Sequence, residues 1–573
     1  MGEERTLDAV ASALEVGASG RQSFVQSGLV VGSAGAVIQA LTIATACAHA
    51  EWGTSEERSS SLGKAVLLGQ IGGGLVWSLV ADVLGRKEAC CLSCVVVAAA
   101  TAACGFAASF FLLRLSCFAA GFGLAGAAVV PTLVTIERLP PPVRGRYAVA
   151  LAWFATVGAA GAACAHAVVE AAGARAWGGA STPRWRSLCA AVALLPFGAG
   201  VAAANRMPES IPWLVSKNRI SAARKVAERA AVVNAVSRLE GARRYVDRVL
   251  ATLDDVTSCS LDATSVLRSL RAAVRAPSVC AWGLAFLVAF GSLSVVSLVR
   301  LEFDGNDDAR SAAFRRRLDD TCPSLDYSIV GAALLSELVA VAIAAHLVDA
   351  VGRRPTLAGL CAAAAAGVLV LAAPEYFPDT FQQAPPSRST LVAAMMTARG
   401  ALAAAASVVA LVVAEMRATP DRATAAAAAY VLAKLGGLLS TYWVVSPNPV
   451  STISLLVTLV DVSAAWAALA LPVETARKPL DTIVPDKPAT SCLLGVADLD
   501  ELSNNAKQPN ARRPATSEGD QNPRGPPYGD GGGGGGSEKS PRNNNLGAAS
   551  TSSSTDVVSS EKTPLLLGPT LLA

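Results

Sequence analysis

The chain has 573 residues, of which 52% are hydrophobic and 16% are charged. A soluble domain has about 25% charged residues, so the composition excludes water-soluble packing for most of the chain. The 48 basic and 44 acidic residues leave a formal charge of only +4, which excludes a dedicated nucleic-acid surface. Collagen-like, coiled-coil and wholly disordered chains are excluded as well, and the composition indicates segments surrounded by lipid or by other helices.

Long apolar runs recur about a dozen times along the sequence, and each is close to the roughly 20 residues that cross a bilayer core of about 30 Å. We expect membrane spans at residues 27–49, 63–82, 89–107, 111–136, 147–170, 187–204, 278–300, 327–348, 356–373, 389–414, 423–445 and 451–472. The sequence therefore predicts an all-α membrane protein with about twelve transmembrane helices. Basic residues in alternate short loops place both termini in the cytoplasm.

Five segments follow from these runs and from the polar stretches between them. We expect a cytoplasmic N-terminal tail, a first six-helix bundle, a cytoplasmic linker with surface helices, a second six-helix bundle and a C-terminal tail, at residues 1–26, 27–204, 205–277, 278–472 and 473–573. The last segment contains the run from Gly531 to Gly536 and is rich in Ser, Pro and Asn. Because this composition cannot bury a core, the C-terminal tail is predicted to be disordered.

Two loop motifs recur at corresponding places in the two halves of the chain. The pattern D-x-x-G-R-[K/R] follows the second and the eighth span, as Asp82, Gly85, Arg86 and Lys87 and as Asp349, Gly352, Arg353 and Arg354. A Glu and an Arg seven residues apart follow the fourth and the tenth span, as Glu137 with Arg144 and as Glu415 with Arg422. This repetition predicts two pseudo-symmetric six-helix bundles from a duplicated unit, with gating loops that latch one state and release in another.

These motifs resemble the major facilitator superfamily, whose loop after the second helix carries G-x-x-x-D-R-x-G-R-[R/K]. Ser78 and Val83 depart from that pattern. The stretch Glu137-Arg138-Leu139-Pro140 with Arg144-Gly145, and Pro208-Glu209-Ser210 followed by Trp213-Leu214, resemble the branch of organic-ion and sugar-type porters. Trp52-Gly53, Leu113-Arg114 and Ser336-Glu337 are similar to features of synaptic-vesicle-two-related proteins and plant nicotinate transporters. The resemblance covers about residues 20–472 and implies a secondary transporter of a small organic ion that works by alternating access and is coupled to protons.

Ionisable residues inside the predicted spans are candidates for a substrate or proton cavity, because an ionised side chain at the bilayer centre costs about 2.5–3.5 kcal/mol and must face protein or water. Glu337 is either a proton acceptor and partner for a cation or a structural carboxylate. Arg399 and Lys434 either attract an anion and neutralise Glu337 or form static ion pairs. Arg114 either lines the cavity or reaches the outer interface, and Asp461 is a candidate only if it faces the bundle. The run from Ser27 to Ala48 in the first span contains no Asp, Glu, Lys, Arg or His, so the proton-binding role that relatives give to this helix is either missing or transferred to Glu337.

Enzyme chemistry has little support in the sequence. Phosphate-binding loops of the form G-x-x-x-x-G-K-[ST], and H-E-x-x-H or G-x-S-x-G motifs in a suitable context, do not occur, and three His residues leave little for acid–base work. We therefore expect no enzyme, no cofactor and no metal; the expected partners are a small-molecule substrate, protons and the lipid bilayer. A phosphate or sugar porter, and a receptor or binding protein that keeps this fold without transport, remain as rival functions.

A sorting signal is predicted near the C-terminus, where Glu561, Leu565 and Leu566 fit the acidic dileucine pattern [DE]-x-x-x-L-[LI]. Such leucines in an exposed tail can enter a groove on a clathrin adaptor. The pattern predicts an adaptor partner and an endosomal, vacuolar or vesicle membrane; a chance match and a plasma-membrane location are the alternatives.

Overall fold

The computed structural model describes residues 7–52, 56–172, 184–235, 242–257, 276–304, 327–376, 386–417, 419–444 and 449–478. Helices and short connections account for all of these residues, and this part of the chain contains no strand. Twelve of its helical segments are long and apolar enough to cross a membrane. The prediction of an all-α membrane protein with about twelve spans is thereby confirmed.

Each helix of the first six spans begins upstream of the predicted span, and all except the third also end downstream of it. Their helices are Ala18–Trp52, Glu56–Val83, Arg86–Gly105, Phe110–Arg138 and Pro141–Ala172, followed by a sixth span in two pieces, Arg184–Val192 and Leu194–Arg206. The break in span 6 falls at Ala193, three residues before Pro196, a residue that has no N–H to continue a helix. At the start of span 4 the Ser109 hydroxyl accepts a hydrogen bond from the Leu112 N–H, which caps the helix as expected for Ser.

The second six spans repeat the order of the first. Spans 7 to 12 are Ala276–Asp304, Tyr327–Ala350, Arg353–Tyr376, Arg388–Glu415, Thr419–Val444 and Val450–Leu469. Spans 3 and 9 both begin directly after a glycine with positive φ, Gly85 (118°) and Gly352 (114°). Glycine adopts this conformation readily because it has no side chain to clash with the backbone. At both positions it lets the chain reverse direction within a tight turn.

Short helices outside the membrane spans form a separate hydrophobic cluster. They are Leu7–Leu14, Ile211–Ser216, Ile220–Ala235 and Ala242–Thr257. Val10 and Leu14 of the first of these pack with linker residues that include Trp213, Ala227 and Val249. The segment 1–26, expected as a tail, thus contains the helix Leu7–Leu14, whose apolar residues are buried against the linker. It also contains the first turns of span 1, which begins at Ala18.

Small residues let neighbouring spans approach closely. The Cα of Gly69 and of Gly73 in span 2 lie against the backbone carbonyls of Phe118 and Phe122 in span 4, where a methyl group would overlap. The Trp77 Nε1–H donates to the Phe122 carbonyl over 2.8 Å and fixes the same pair of spans. Packing of this kind, with backbones in near contact, replaces hydrophobic burial as the main attraction between helices in lipid.

The two halves meet mainly along two pairs of helices, and span 4 and span 10 make smaller contacts across the same interface. Span 2 packs against span 11, and span 5 packs against span 8. Both pairs join one six-helix half to the other within the compact unit Met1–Ala497. The second unit, Asp498–Ala573, lies outside the described residues, as does most of the predicted C-terminal tail.

Candidate functional site

The loop after span 2, which the sequence predicts to be a gating loop, is held by a buried guanidinium. Arg86 lies 1% exposed at the start of span 3, where its Nη1 donates to the Ala81 carbonyl (2.8 Å) and to the Asp82 carboxylate (2.9 Å). Its Nε lies 3.6 Å from the Glu137 carboxylate at the end of span 4. The Ser210 hydroxyl donates to the same carboxylate over 2.5 Å. Arg86 therefore joins the ends of spans 2, 3 and 4 inside the first half.

The second half repeats this arrangement. Arg353 Nη1 donates to the Val348 carbonyl (3.0 Å) and to Asp349 (2.9 Å), as its counterpart does in the first half. Its Nε and Nη2 form a two-pronged contact with the Glu415 carboxylate at 3.1 and 3.0 Å. The Thr475 hydroxyl donates to Glu415 over 2.6 Å. The repeat predicted from the loop motifs is thus also a repeat of hydrogen bonds.

A carboxylate caps the helix that follows each loop. Glu209 accepts from the backbone N–H of Arg86 at 3.0 Å, and its carboxylate also faces the N–H of Lys87. Glu474 accepts from the N–H groups of Arg353 and Arg354 at 2.9 and 3.0 Å. An acid at a helix N-terminus satisfies free N–H groups and complements the helix dipole.

Burial raises the pKa of Glu209 above its ordinary value, and the backbone N–H donors of Ser210, Arg86 and Lys87 oppose this shift. Glu474 and Thr475 lie in the segment that the sequence assigns to the C-terminal tail. Their role was not predicted, although the acid–hydroxyl pair Glu474-Thr475 shortly after span 12 repeats the pair Glu209-Ser210 shortly after span 6 and could have indicated it.

Four polar contacts cross from one half to the other at this end of the molecule, and one of them joins Arg146 Nη2 to His346 Nδ1 at 3.4 Å. The Arg422 Nη1 donates to the Glu137 carboxylate over 3.0 Å, and both side chains are fully buried. The Arg146 N–H donates to Asp349 (2.7 Å), and the Thr424 hydroxyl donates to Asp82 (3.2 Å). We call this set of acids and their donors the charged layer. It lies at the face that the loop charges assign to the cytoplasm, and in the described conformation it holds the two halves together there.

The charged layer departs from pseudo-symmetry at Arg144. Arg422 contacts the carbonyl oxygen of Arg417 and a glutamate of the opposite half. Arg144 makes the equivalent contact with the Leu139 carbonyl, but its Nη2 donates over 2.5 Å to Asp8 of the N-terminal helix. The sequence did not predict this contact, because a single acid in a polar N-terminal segment carries no signal of its partner.

A separate ion pair lies near the middle of its spans, away from the charged layer. Glu337 of span 8 and Arg399 of span 10 form a salt bridge of 2.8 Å, and their side chains are 16% and 26% exposed. The Thr156 hydroxyl of span 5 lies 3.4 Å from the same carboxylate, and the Trp153 Nε1–H donates to the Leu338 carbonyl over 2.8 Å. The structure thus brings together Glu337 and Arg399, as the sequence suggested, and places them where the two halves meet.

The other two candidate residues lie apart from this pair in the described contacts. The Lys434 ammonium lies 4.9 Å from the ring centre of Tyr430, and the described residues give it no carboxylate partner. Span 2 approaches this region, since Gly74 lies against Tyr430 and Val431. Arg114 is exposed near the start of span 4, with its guanidinium 5.8 Å from the Phe111 ring centre. The sorting residues Glu561, Leu565 and Leu566 lie outside the described residues.

The chain is similar to transporters in sequence and in structure. Residues 20–292 match the family described as "Sugar (and other) transporter". The chain is 28% identical over 182 residues to organic anion transporter 3 from Homo sapiens, which covers 32% of this chain and 31% of the relative. It is 27% identical to the niacin transporter NiaP of Acinetobacter baylyi, over 31% of this chain and 38% of that protein. The alignments therefore span only about a third of the length of these relatives.

Solved structures share the fold over most of the chain. The proton:xylose symporter XylE bound to 6-bromo-6-deoxy-D-glucose superposes with a TM-score of 0.62 and 18% identity, covering 83% of this chain and 98% of XylE. A partially occluded, inward-open conformation of XylE from E. coli gives a TM-score of 0.52 with 17% identity, covering 79% and 99%. At these identities the likeness shows the fold alone.

Proposed function

We propose that this chain, a multi-pass membrane protein of the major facilitator superfamily, is a secondary transporter that moves a small organic anion by alternating access. The observation that carries the proposal is the construction of the charged layer. Within each half an arginine and a helix-capping glutamate hold the loop ends together, whereas four polar contacts join the two halves at this face. Such a joint can open by rigid movement of one half without unfolding either.

The charge of the residues near the interface of the halves supports an anionic substrate. Arg399 and Lys434 are two cations, and Glu337 is the one acid among the predicted cavity residues. Arg399 is already neutralised by Glu337, which leaves the Lys434 ammonium as the group that would attract an anion. The similarity to an organic anion transporter and to a niacin transporter points the same way. Nicotinate, the carboxylate form of niacin, is therefore the first candidate substrate.

Coupling to a proton gradient belongs to the proposal as well. An anion that enters with one proton carries no net charge across the membrane, so an inward proton gradient can drive its accumulation. XylE, which shares the fold, is described as a proton symporter. Glu337 is the proton acceptor expected from the sequence, and its carboxylate lies 2.8 Å from the Arg399 guanidinium.

A sugar or phosphate porter is the second candidate, because the matched family and the xylose transporter both include sugars in their descriptions. The two candidates differ in charge. A sugar porter would not depend on Lys434, whereas an anion carrier would lose affinity for its substrate when that cation is neutralised.

Uptake into proteoliposomes tests the proposal. Purified protein is reconstituted and offered radiolabelled nicotinate, phosphate, glucose or choline, with and without an inward proton gradient. We expect nicotinate to enter in a saturable, gradient-stimulated manner, and we expect Lys434→Gln to raise KM more than it lowers the maximal rate. Glu375→Gln removes an exposed acid at the end of span 9 and serves as the matched control, with uptake unchanged. Uptake of glucose instead of nicotinate would favour the sugar porter, and no flux of any compound by folded protein would favour a binding protein without transport.

A further inference from the structure

Asp461 is a buried acid that belongs neither to the charged layer nor to the Glu337–Arg399 pair. It lies near the middle of span 12 and is fully buried. Both carboxylate oxygens lack a hydrogen-bond donor within the described part of the chain. Its carboxylate lies directly against the backbone of Gly291 in span 7, where even a methyl group would overlap. Asp461 thus meets the condition set by the sequence, since it faces the bundle.

Three hydroxyl side chains lie on the two helices that meet at this acid. Ser454 and Thr458 precede Asp461 by seven and three residues on span 12, so all three lie on one helix face. Ser294 lies one turn beyond Gly291 on span 7. Ser294 and Ser454 are fully buried, and their hydroxyl oxygens also lack partners in the described structure. The region is therefore a polar seam of small oxygen-bearing groups between spans 7 and 12.

No described cation neutralises Asp461. Spans 7 and 9 pack against span 12, and Cys361 of span 9 is the titratable side chain whose charge would interact with this carboxylate. Arg353 is held at the cytoplasmic end by Glu415 and Asp349. Arg354 reaches the carbonyl of Leu469, which lies eight residues, or about 12 Å of helix, beyond Asp461.

An ionised carboxylate without donors in such a place carries a large desolvation cost, whereas a protonated one is neutral and can donate to a hydroxyl. Metal binding has less support, because the described residues contain no group of three His, Cys, Asp or Glu side chains that could hold an ion.

We propose that Asp461 is a proton-binding site inside the second half, and that this carboxyl, rather than Glu337, takes up and releases the proton that is coupled to transport. This inference rests on the proposed function of the chain as a transporter. One proton binds a carboxylate oxygen from one aqueous side and leaves to the other, and no other bond changes. Glu337 is less suited to this role because Arg399 already satisfies its charge.

Span 7 provides a physical link from this site to the joint between the halves. It packs on span 12 at Gly291 and on span 11 at Gly436, where the glycine lies against the Phe286 carbonyl. Span 11 contains Lys434, and near its start it contains Arg422, which pairs with Glu137 of the other half in the charged layer. Loss of the proton leaves a charge that must be hydrated, so span 7 has to move away from span 12 and carries span 11 with it.

Two transport assays on Asp461→Asn separate coupling from movement of the substrate. With an inward gradient of about one pH unit and one proton per substrate, wild type accumulates nicotinate up to about tenfold. Asp461→Asn is locked in a neutral form, so we expect it to reach no accumulation while it still exchanges internal for external nicotinate at the wild-type rate. Gradient-driven accumulation by the variant at the wild-type level would overturn the inference. Absence of any flux by wild type would instead overturn the proposed function.

An infrared measurement tests the site without any substrate. A protonated carboxyl has a C=O absorption that a carboxylate lacks, so we expect a buried band at neutral pH in wild type that disappears in Asp461→Asn and remains in Glu337→Gln. Asp461→Ser, also neutral, replaces the amide variant if that protein is not recovered folded. A wild-type spectrum without this band overturns the inference. A rise in the wild-type Tm on addition of sodium, absent from the variant, also overturns it, because that result would assign a cation to the site.

Discussion

The pair of Glu137 and Arg422 gives the clearest quantitative prediction for the joint between the halves. Glu137→Gln keeps the shape of the side chain and removes its charge. In the open state Arg422 still donates to the Ala414 and Arg417 carbonyls, which belong to its own half. Likewise, Arg86 and the Ser210 hydroxyl stay with residue 137. Among the contacts of residue 137, the one between Arg422 Nη1 and Glu137 Oε1 is the contact that crosses between the halves and is lost on opening.

The size of the shift follows from this single contact. Removal of one member of a buried ion pair destabilises a fold by about 3–5 kcal/mol, much of it common to both states. A hydrogen bond to a charged group contributes about 1.5–3 kcal/mol. If this hydrogen-bond energy is lost from the closed state alone, the ratio of closed to open molecules falls roughly 10- to 150-fold, because 1.4 kcal/mol corresponds to a factor of ten.

Hydrogen exchange measures this ratio. The Arg146 N–H donates across the joint to Asp349, so its exchange reports opening of the charged layer. We expect Glu137→Gln to accelerate exchange of this amide by the same factor. Glu415→Gln is the matched control, because Glu415 pairs with Arg353 inside one half at 3.0 Å. It should lower the Tm but leave Arg146 exchange unchanged. Equal acceleration by both variants, or by neither, would refute the reasoning.

Three further substitutions test other parts of the structure. Asp8→Asn leaves the fully buried Arg144 without its acid, so it should lower the free energy of unfolding by up to about 3–5 kcal/mol; an unchanged Tm would contradict this pairing. Gly85→Ala puts a side chain at φ 118° and ψ 162°, a region that is essentially restricted to Gly. It should lower the free energy of unfolding by about 1–3 kcal/mol in the same thermal measurement, and wild-type stability would argue against this turn. Glu337→Gln should lower the Tm more than the double variant Glu337→Gln/Arg399→Gln, because the single change leaves a guanidinium unpaired; additive effects in that double-mutant cycle would disprove the ion pair.

The sequence was most informative where it repeats. The spacing of Asp82 and Arg86, and of Asp349 and Arg353, places each acid one helical turn before an arginine across a glycine turn, and the structure joins both pairs at 2.9 Å. Apolar runs of sufficient length predicted the spans for the same reason, since length and composition alone decide whether a helix can cross a bilayer.

The partners of isolated residues could not be read from the sequence. Asp8 finds Arg144, and Glu474 finds the N-terminus of span 9, across more than 100 positions of chain. The orientation of Asp461 was equally hidden, because Ala and Val surround it and almost any face of an Ala-rich helix is compatible with close packing. Pairing across the membrane depends on how twelve helices are arranged, and single-sequence periodicity does not contain that information.

Exchange of labelled nicotinate across the membrane distinguishes transport by alternating access from simple binding. Proteoliposomes are loaded with unlabelled nicotinate or with buffer, and the initial rate of entry of external label is measured. We expect faster entry into the loaded vesicles, because a carrier that returns with substrate reopens to the outside without crossing the membrane empty. Label that binds to the vesicles to an extent independent of their internal volume and of internal nicotinate would contradict it and show a binding protein.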